Sequence, residues 1–192
     1  MRICIYGASS NDIDAKYIAA GEEFGKETAA AGHGLVFGGG AGGMMGAAAR
    51  GAALSNGEII GVVPTFFDVD GMLYDNCTEM IYTETMRERK QIMEDKADAF
   101  VMLPGGIGTF DEFFEILTLK QVGRHAKPIG ILNVSGYYTD ILKMLRRAVD
   151  EKFMSESVLG LVTVSESSKE LISEIEREIL SGNSAAFYKK VD

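Results

Sequence analysis

The sequence predicts an α/β protein: a Rossmann-like, doubly wound parallel sheet with helices on both faces. Three observations carry this. Short uncharged apolar runs, such as Leu35-Val36-Phe37 and Ala99-Phe100-Val101-Met102-Leu103, read as strands buried on both faces. They alternate with helical segments along the whole chain. The 23 glycines of the 192 residues gather in loops that directly follow strands, where a backbone comes close to a ligand. About six or seven strands are expected. No repeat, linker or charge block divides residues 1–192, so one domain is expected.

Composition narrows the function. The chain is 46% hydrophobic, with no apolar run long enough to span a membrane. Met1-Arg2-Ile3-Cys4-Ile5-Tyr6 enters a strand pattern at once and lacks a signal-peptide layout. Cys4 and Cys77 stand apart with no CxxC, and are expected to be buried free thiols in a reducing cytoplasm. His33 and His125 have no partner at ligand spacing, so no metal site is expected. A net charge of −9 argues against nucleic acid and membrane surfaces as partners, and an anionic substrate would need a local cluster of donors.

The first strand, residues 2–6, exits through Gly7-Ala8-Ser9-Ser10-Asn11, which offers Ser9 and Ser10 at the carboxyl edge of the sheet. The alternative is a plain helix cap at Ser10, Asn11 or Asp12. A helix over residues 14–31 follows, with Ile18 and Phe24 inward, and Gly32-His33-Gly34 ends it. After strand 35–37, Gly38-Gly39-Gly40-Ala41-Gly42-Gly43-Met44-Met45-Gly46 opens an alanine-rich helix to Leu54. Gly38-x-Gly40-x-x-Gly43 fits the dinucleotide fingerprint, but the acid expected after the next strand is misplaced, since Glu58 precedes strand 59–63. The loop therefore reads as a phosphate cradle and not as an NAD site. Residues 65–75, with Phe66, Phe67, Asp68, Asp70 and Tyr74, read as irregular: a lid, a dimer contact or an ordinary crossover.

A short strand at 79–82 leads to a helix over 83–97 that carries the capping box Thr85-x-x-Glu88. At 100° per residue, Met86, Ile92, Met93 and Ala97 share the arc that should be buried. Arg89 falls inside that arc and Lys90 at its edge. An inward guanidinium needs an anion: a ligand, or a structural carboxylate.

The densest stretch is residues 99–115. A buried strand stops at Pro104, Gly105, Gly106 and Gly108 turn the chain, and Thr109 opens a helix with Glu112 three residues on. Strand, glycine loop and helix N-terminus form an anion site. The same Thr109-x-x-Glu112 is also a capping box. On the wheel of the expected helix 110–122, Glu112 projects between Ile116 and Leu119 and away from any solvated face, which tips it towards a site role. That helix is apolar almost all round, through Phe110, Phe113, Phe114, Ile116, Leu117 and Leu119, which predicts packing against a second subunit. A strand at 128–133, an amphipathic helix at 136–153, a strand at 161–164 and a helix capped by Ser167-x-x-Glu170 complete the pattern. Residues 183–192 carry no signal.

Three pieces together, Val36-Phe37-Gly38-Gly39-Gly40-x-Gly42-x-Met44-Met45-Gly46, Met86-x-x-Arg89-Lys90 and Pro104-Gly105-Gly106-x-Gly108-Thr109-x-x-Glu112, resemble the Lonely Guy (LOG) family of cytokinin riboside 5′-monophosphate phosphoribohydrolases. The resemblance extends to Cys4-Ile5-Tyr6-Gly7-x-Ser9-Ser10 and to Lys127-Pro128-Ile129-Gly130-Ile131-Leu132-Asn133-Val134-x-Gly136-Tyr137-Tyr138. It departs in the first loop, where Gly7-Ala8-Ser9-Ser10 replaces Cys-Gly-Ser-Ser, and in residues 65–75. The resemblance implies hydrolysis of the N-glycosidic bond of a nucleoside 5′-monophosphate, without metal or redox cofactor, in a homodimer. It implies Arg89 and Glu112 as catalytic residues. Substrate would be held by Ser9, Gly39, Gly40, Gly43, Met44, Lys90, Gly105, Gly106, Gly108, Thr109, Asp111 and Thr118. The rival reading is a non-catalytic carrier of a nucleotide or of molybdenum cofactor, which would not need Arg89 and Glu112 together. Some relatives are labelled lysine decarboxylases, a label no residue here supports.

Overall fold

Residues 1–67 and 71–182 are described by a computed structural model. Among these residues the apolar runs become seven strands: β1 (Arg2–Tyr6), β2 (Gly34–Phe37), β3 (Ile59–Pro64), β4 (Glu79–Thr83), β5 (Ala99–Met102), β6 (Ile129–Leu132) and β7 (Thr163–Ser165). All neighbours pair in parallel, in the order β4-β3-β2-β1-β5-β6-β7. The chain winds outward from β1 to β4, then returns to the other side of β1 as β5. Ile3 therefore sits between Leu35 and Ala99, and the strand order reverses there. In an open α/β sheet the crevice for ligands forms outside the carboxyl ends of strands at such a point.

Among the described residues, six α-helices cover the sheet: α1 (Ala15–Ala30), α2 (Gly43–Leu54), α3 (Met86–Lys96), α4 (Ile107–Gln121), α5 (Thr139–Asp150) and α6 (Ser168–Ser181). Alternation along β1 assigns the layers. Ile3 and Ile5 join Phe24, Met44, Leu171 and Ile175, the inner sides of α1, α2 and α6. Cys4 and Tyr6 join Met93, Phe113 and Ile116, the inner sides of α3 and α4. Between α1 and α2 the backbones themselves touch. A Cβ on Gly25 would overlap the Ala48 carbonyl, and one on Gly51 the Glu22 carbonyl.

The helix ends follow local chemistry. Thr85 Oγ1 accepts the Glu88 N–H at 3.1 Å and Glu88 reaches the Glu84 N–H at 2.9 Å, so α3 begins after Thr85 and not at residue 83. Ser167 Oγ accepts the Glu170 N–H at 3.3 Å, and α6 ends at left-handed Gly182. The cap of α1 is Asp14, on the Lys16 N–H, and none of Ser10, Asn11 or Asp12. Helix α5 starts three residues later than expected because Ser135 and Gly136 are left-handed (φ 51° and 73°). Its inner residues Ile141, Leu142, Leu145 and Val149 are only half-buried. Strand β7 starts two residues late, because Glu156–Leu161 coils into a 3-10 turn that drives Val158 and Leu161 into the core. Cys4 is buried and Cys77 half-buried, both as free thiols. Asp68, Asp70 and residues 183–192 lie outside the described residues. Among those described, no helix is long and apolar enough to cross a membrane.

Candidate active site

At the switch point, the exits of β1, β2 and β5 surround a cleft of about 620 Å³. Its inner wall is an ion pair. Arg89, in the buried arc of α3, is 7% exposed. Its Nη1 donates to Glu112 Oε1 at 2.6 Å and its Nε to the Val62 carbonyl at 3.1 Å. Its Nη2 lies against Gly38, where a Cβ would overlap it. The glycine after β2 thus makes room for a guanidinium. The Glu112 side chain is 11% exposed, and both residues line the cleft. Burial raises the Glu112 carboxyl above its ordinary value, and Arg89 opposes that rise. A carboxylate so placed can face a developing cation, take a proton or orient water.

The rim is the start of α4, and here the expected capping box does not form. Gly106 is the N-cap residue and no side chain caps the helix. Thr109 is the third helical residue, with its hydroxyl turned against Gly105. Glu112 is the sixth, a full turn beyond the box position, which frees it to meet Arg89. The first N–H bonded back along this helix is that of Phe110, to the Gly106 carbonyl at 3.0 Å. The amides of 107–109 precede it and have no acceptor within the helix. Gly106, Ile107, Gly108 and Thr109 border the cleft, so these amides and the helix dipole form a donor cluster there. Helix α2 differs. Its Gly43 N–H goes to Asn11 Oδ1 at 2.9 Å and its Met45 N–H to the Ala8 carbonyl at 3.2 Å. The exit loop of β1 thus takes two donors at the start of α2, while Gly38, Gly40 and Gly42 of the glycine loop border the cleft.

Among the residues expected from sequence, Ser9, Gly40, Gly106, Gly108 and Thr109 border the cleft with Arg89 and Glu112. Gly105 lies buried behind the rim, with its carbonyl held by the Tyr137 hydroxyl. Gly39 is buried and faces Val63 and Met80, and Gly43 is packed against the Ala8 and Ser10 carbonyls. Met44 is fully buried in the core, and its neighbour Met45 borders the cleft instead. Lys90, Asp111 and Thr118 stand elsewhere. Lys90 Nζ pairs with Asp111 at 3.2 Å and Glu115 at 2.5 Å. With Thr118 they line a separate groove of about 840 Å³ on the outer side of α4, beside Phe110, Phe114 and Leu119. Ile107, 84% exposed, borders both groove and cleft.

The sequence did not reveal the apolar end of the cleft: Met45, Val63, Phe67, Met72, Leu73 and Met86. Met86, expected to be buried, is 39% exposed at this wall. Residues 72–74 are drawn over the second glycine loop by Ala41 N–H to the Met72 carbonyl and Tyr74 N–H to the Gly39 carbonyl, both 2.9 Å. The available signal was a run of apolar side chains in an irregular stretch directly after a strand. Among the described residues, no group of three or more His, Cys, Asp or Glu is placed to hold a metal ion.

Fold and cleft define an α/β protein of the Rossmann class with a buried Arg–Glu pair beside an open helix N-terminus. A family model described as "Possible lysine decarboxylase" matches residues 45–175. A cytokinin riboside 5′-monophosphate phosphoribohydrolase of Arabidopsis thaliana is 35% identical over 175 residues, 91% of this chain and 82% of the relative. The LOG enzyme of that description from Oryza sativa subsp. japonica is 36% identical over 178 residues, 93% and 74% of the two chains. Among solved structures, the Moco carrier protein of Chlamydomonas reinhardtii matches with a TM-score of 0.72 and 26% identity, covering 94% of this chain and 98% of its own. The molybdenum cofactor binding protein of Rippkaea orientalis shares the fold at a TM-score of 0.70 and 22% identity, over 93% and 96%. The chain belongs to the LOG family, a family of hydrolases acting on N-glycosyl bonds.

Proposed function

We propose that this protein hydrolyses the N-glycosidic bond of a nucleoside 5′-monophosphate, either a cytokinin riboside 5′-monophosphate or AMP. The products are free base and ribose 5-phosphate. The observation that carries the reading is the Arg89–Glu112 pair, open to the cleft beside the first turn of α4. The 5′-phosphate lies on the amides of 106–109, with the Thr109 hydroxyl as a further donor. The ribose lies over Glu112, and the base against Met45, Phe67, Met72 and Met86. As the C1′–N bond breaks, its electron pair leaves with the base and the sugar becomes cationic. The Glu112 carboxylate stabilises that charge, and Arg89 keeps the carboxylate ionised and aimed. Water adds to C1′ and its proton leaves through Glu112 or the base. No metal or redox group is needed.

The chain acts in the cytoplasm as a homodimer through the outer groove of α4, where Ile107 and Phe114 are exposed. Because Ile107 borders both spaces, a second copy seated on Lys90, Asp111 and Thr118 in the groove would lie beside the mouth of the cleft.

The test is release of free base from AMP and from isopentenyladenosine monophosphate, each against its nucleoside. Cleavage of the monophosphates alone is expected. Glu112→Gln and Arg89→Ala should each lower kcat by about 10²–10³-fold with the fold intact. Near-wild-type rates in either variant overturn that residue's role. Tight nucleotide binding without base release favours the carrier reading, which the likeness to the Chlamydomonas reinhardtii carrier supports.

A further inference from the structure

The turn between β5 and α4 is held from both sides at every carbonyl. The Leu103 carbonyl accepts the Tyr138 hydroxyl at 2.7 Å, and the Gly105 carbonyl accepts the Tyr137 hydroxyl at 2.9 Å. The Pro104 carbonyl, between them, accepts the Ala8 N–H at 3.0 Å. Three consecutive peptide oxygens are thus fixed, the outer two by tyrosine hydroxyls from outside the cleft and the middle one by Ala8 at its border. In a trans peptide the N–H points opposite to the C=O of the same unit. Holding the Gly105 oxygen towards Tyr137 therefore turns the Gly106 N–H the other way, and Gly106 borders the cleft.

The two tyrosines are themselves placed with some care. They follow β6 through Asn133, Val134, Ser135 and Gly136. Ser135 (φ 51°, ψ 32°) and Gly136 (φ 73°) are left-handed in succession, a conformation that a non-glycine residue keeps only where its surroundings impose it. Asn133 Oδ1 accepts the Tyr138 N–H at 2.7 Å and locks the turn. The rings pack edge to face, 4.9 Å apart at 80°, and Tyr17 of α1 closes on Tyr137 at 5.6 Å. Tyr138 is fully buried and Tyr137 is 43% exposed. Burial raises the Tyr138 phenol above its ordinary value, so it remains a protonated donor.

We propose that Tyr137 and Tyr138 are positioning residues for phosphate recognition: their hydroxyls, bonded to the Gly105 and Leu103 carbonyls, hold the 103–106 turn so that the amides at the start of α4 face the anion. This rests on the phosphate subsite of the proposed function. The tyrosines do not touch substrate. They act through the backbone of the turn, so removing a hydroxyl weakens what reads the phosphate and leaves what reads the base untouched.

The experiment has two readouts on the full chain, with Tyr137→Phe and Tyr138→Phe. The first is a titration with inorganic phosphate followed by the backbone amide shifts of residues 106–109. The second is inhibition of base release by ribose 5-phosphate and, separately, by adenine. Each variant loses one hydrogen bond, so the Kd for phosphate, the Ki for ribose 5-phosphate and the KM for the monophosphate should rise about 3–10-fold, with kcat and the adenine Ki held. An unchanged phosphate Kd in both variants overturns the proposal. So does an adenine Ki that rises in step with phosphate, since that marks general loosening of the cleft. Tyr137 is partly exposed, so its variant keeps the test decisive should Tyr138→Phe not fold. Should wild-type protein cleave no nucleotide, the hydrolase reading fails while the phosphate titration still judges the tyrosines. Absence of phosphate-dependent shifts at 106–109 in the wild type overturns the proposal outright.

Discussion

Gly38→Ala is the most discriminating substitution this structure offers. The residue lies at the exit of β2 and makes no ion pair of its own. Its φ is outside the left-handed region, so alanine meets no backbone strain there. The added methyl would overlap Arg89 Nη2 and stand 3.3 Å from Arg89 Cζ and 3.2 Å from Met45 Sδ. Met45 can yield, but the guanidinium cannot, because Nε is held by the Val62 carbonyl and Nη1 by Glu112. Displacing it leaves the Val62 carbonyl without its donor, a loss of about 1–3 kcal/mol. It also breaks a buried ion pair, which costs about 3–5 kcal/mol when the partner stays ionised. The two losses overlap, and Glu112 can take up a proton, so about 3 kcal/mol is the expected total. For a chain of this size that lowers the thermal midpoint by about 6–12 °C. Base release should fall about 10²-fold or more, as in Arg89→Ala, because the carboxylate loses the cation that aims it. Differential scanning calorimetry and the base-release assay measure both effects. Wild-type turnover together with an unchanged midpoint would refute the role given to Gly38 and, with it, the rigidity of the Arg89 seat.

The remaining predictions are simpler. Burial raises the Glu112 carboxyl, so the folded state holds its proton more tightly than the unfolded chain does. Its contribution to stability is therefore present at low pH and is lost as pH rises through the raised value. Activity should move the opposite way, with the acidic limb of kcat/KM lying above the ordinary glutamate value of about 4.3; a limb at or below it removes Glu112 as the titrating group. A Cβ on Gly108 would enter open space at the cleft rim, so Gly108→Ala should fold at least as stably, by up to about 1 kcal/mol, yet raise KM for the monophosphate. An unchanged KM would remove the start of α4 from phosphate binding. Phe114→Asp, on the outer groove, should convert a dimer to monomer in sedimentation experiments, and a dimer that persists places the contact elsewhere.

The alternation of strands and helices was legible because a parallel sheet buries both faces and so writes uncharged runs into the chain. Arg89 and Glu112 were legible for a related reason: each is a charge on a helix face that its apolar neighbours assign to the interior. The start of α4 was not. Gly106-Ile107-Gly108 has poor local helix propensity, and Thr109-x-x-Glu112 is a sound local cap. Two contacts override both: locally Thr109 turns its hydroxyl against Gly105, and across the fold Glu112 is drawn to Arg89. Met44 and Met45 show the limit of pattern reading, since one step of 100° separates core from cleft. Asp111 and Thr118 entered through family resemblance, and Lys90 also through its place at the edge of a buried arc; within one chain their geometry places all three on the outer side of α4. The apolar end of the cleft lay in an irregular segment, where no period assigns a side to any residue.

The glycine contacts between α1 and α2 have a mechanical consequence. Packed helices commonly slide past each other by small shears, with side chains swinging between rotamers to absorb the shift. Here a peptide carbonyl sits in the notch left by Gly25 and another in the notch left by Gly51, on opposite helices. Two such pegs leave no side chain to swing and block translation along either axis. The wall of the cleft carried by α2 is therefore an anvil. Residues 72–74 are bonded to the loop that leads into that wall, so any widening of the cleft falls to the walls not pegged to it, where Met86 stands at the start of α3.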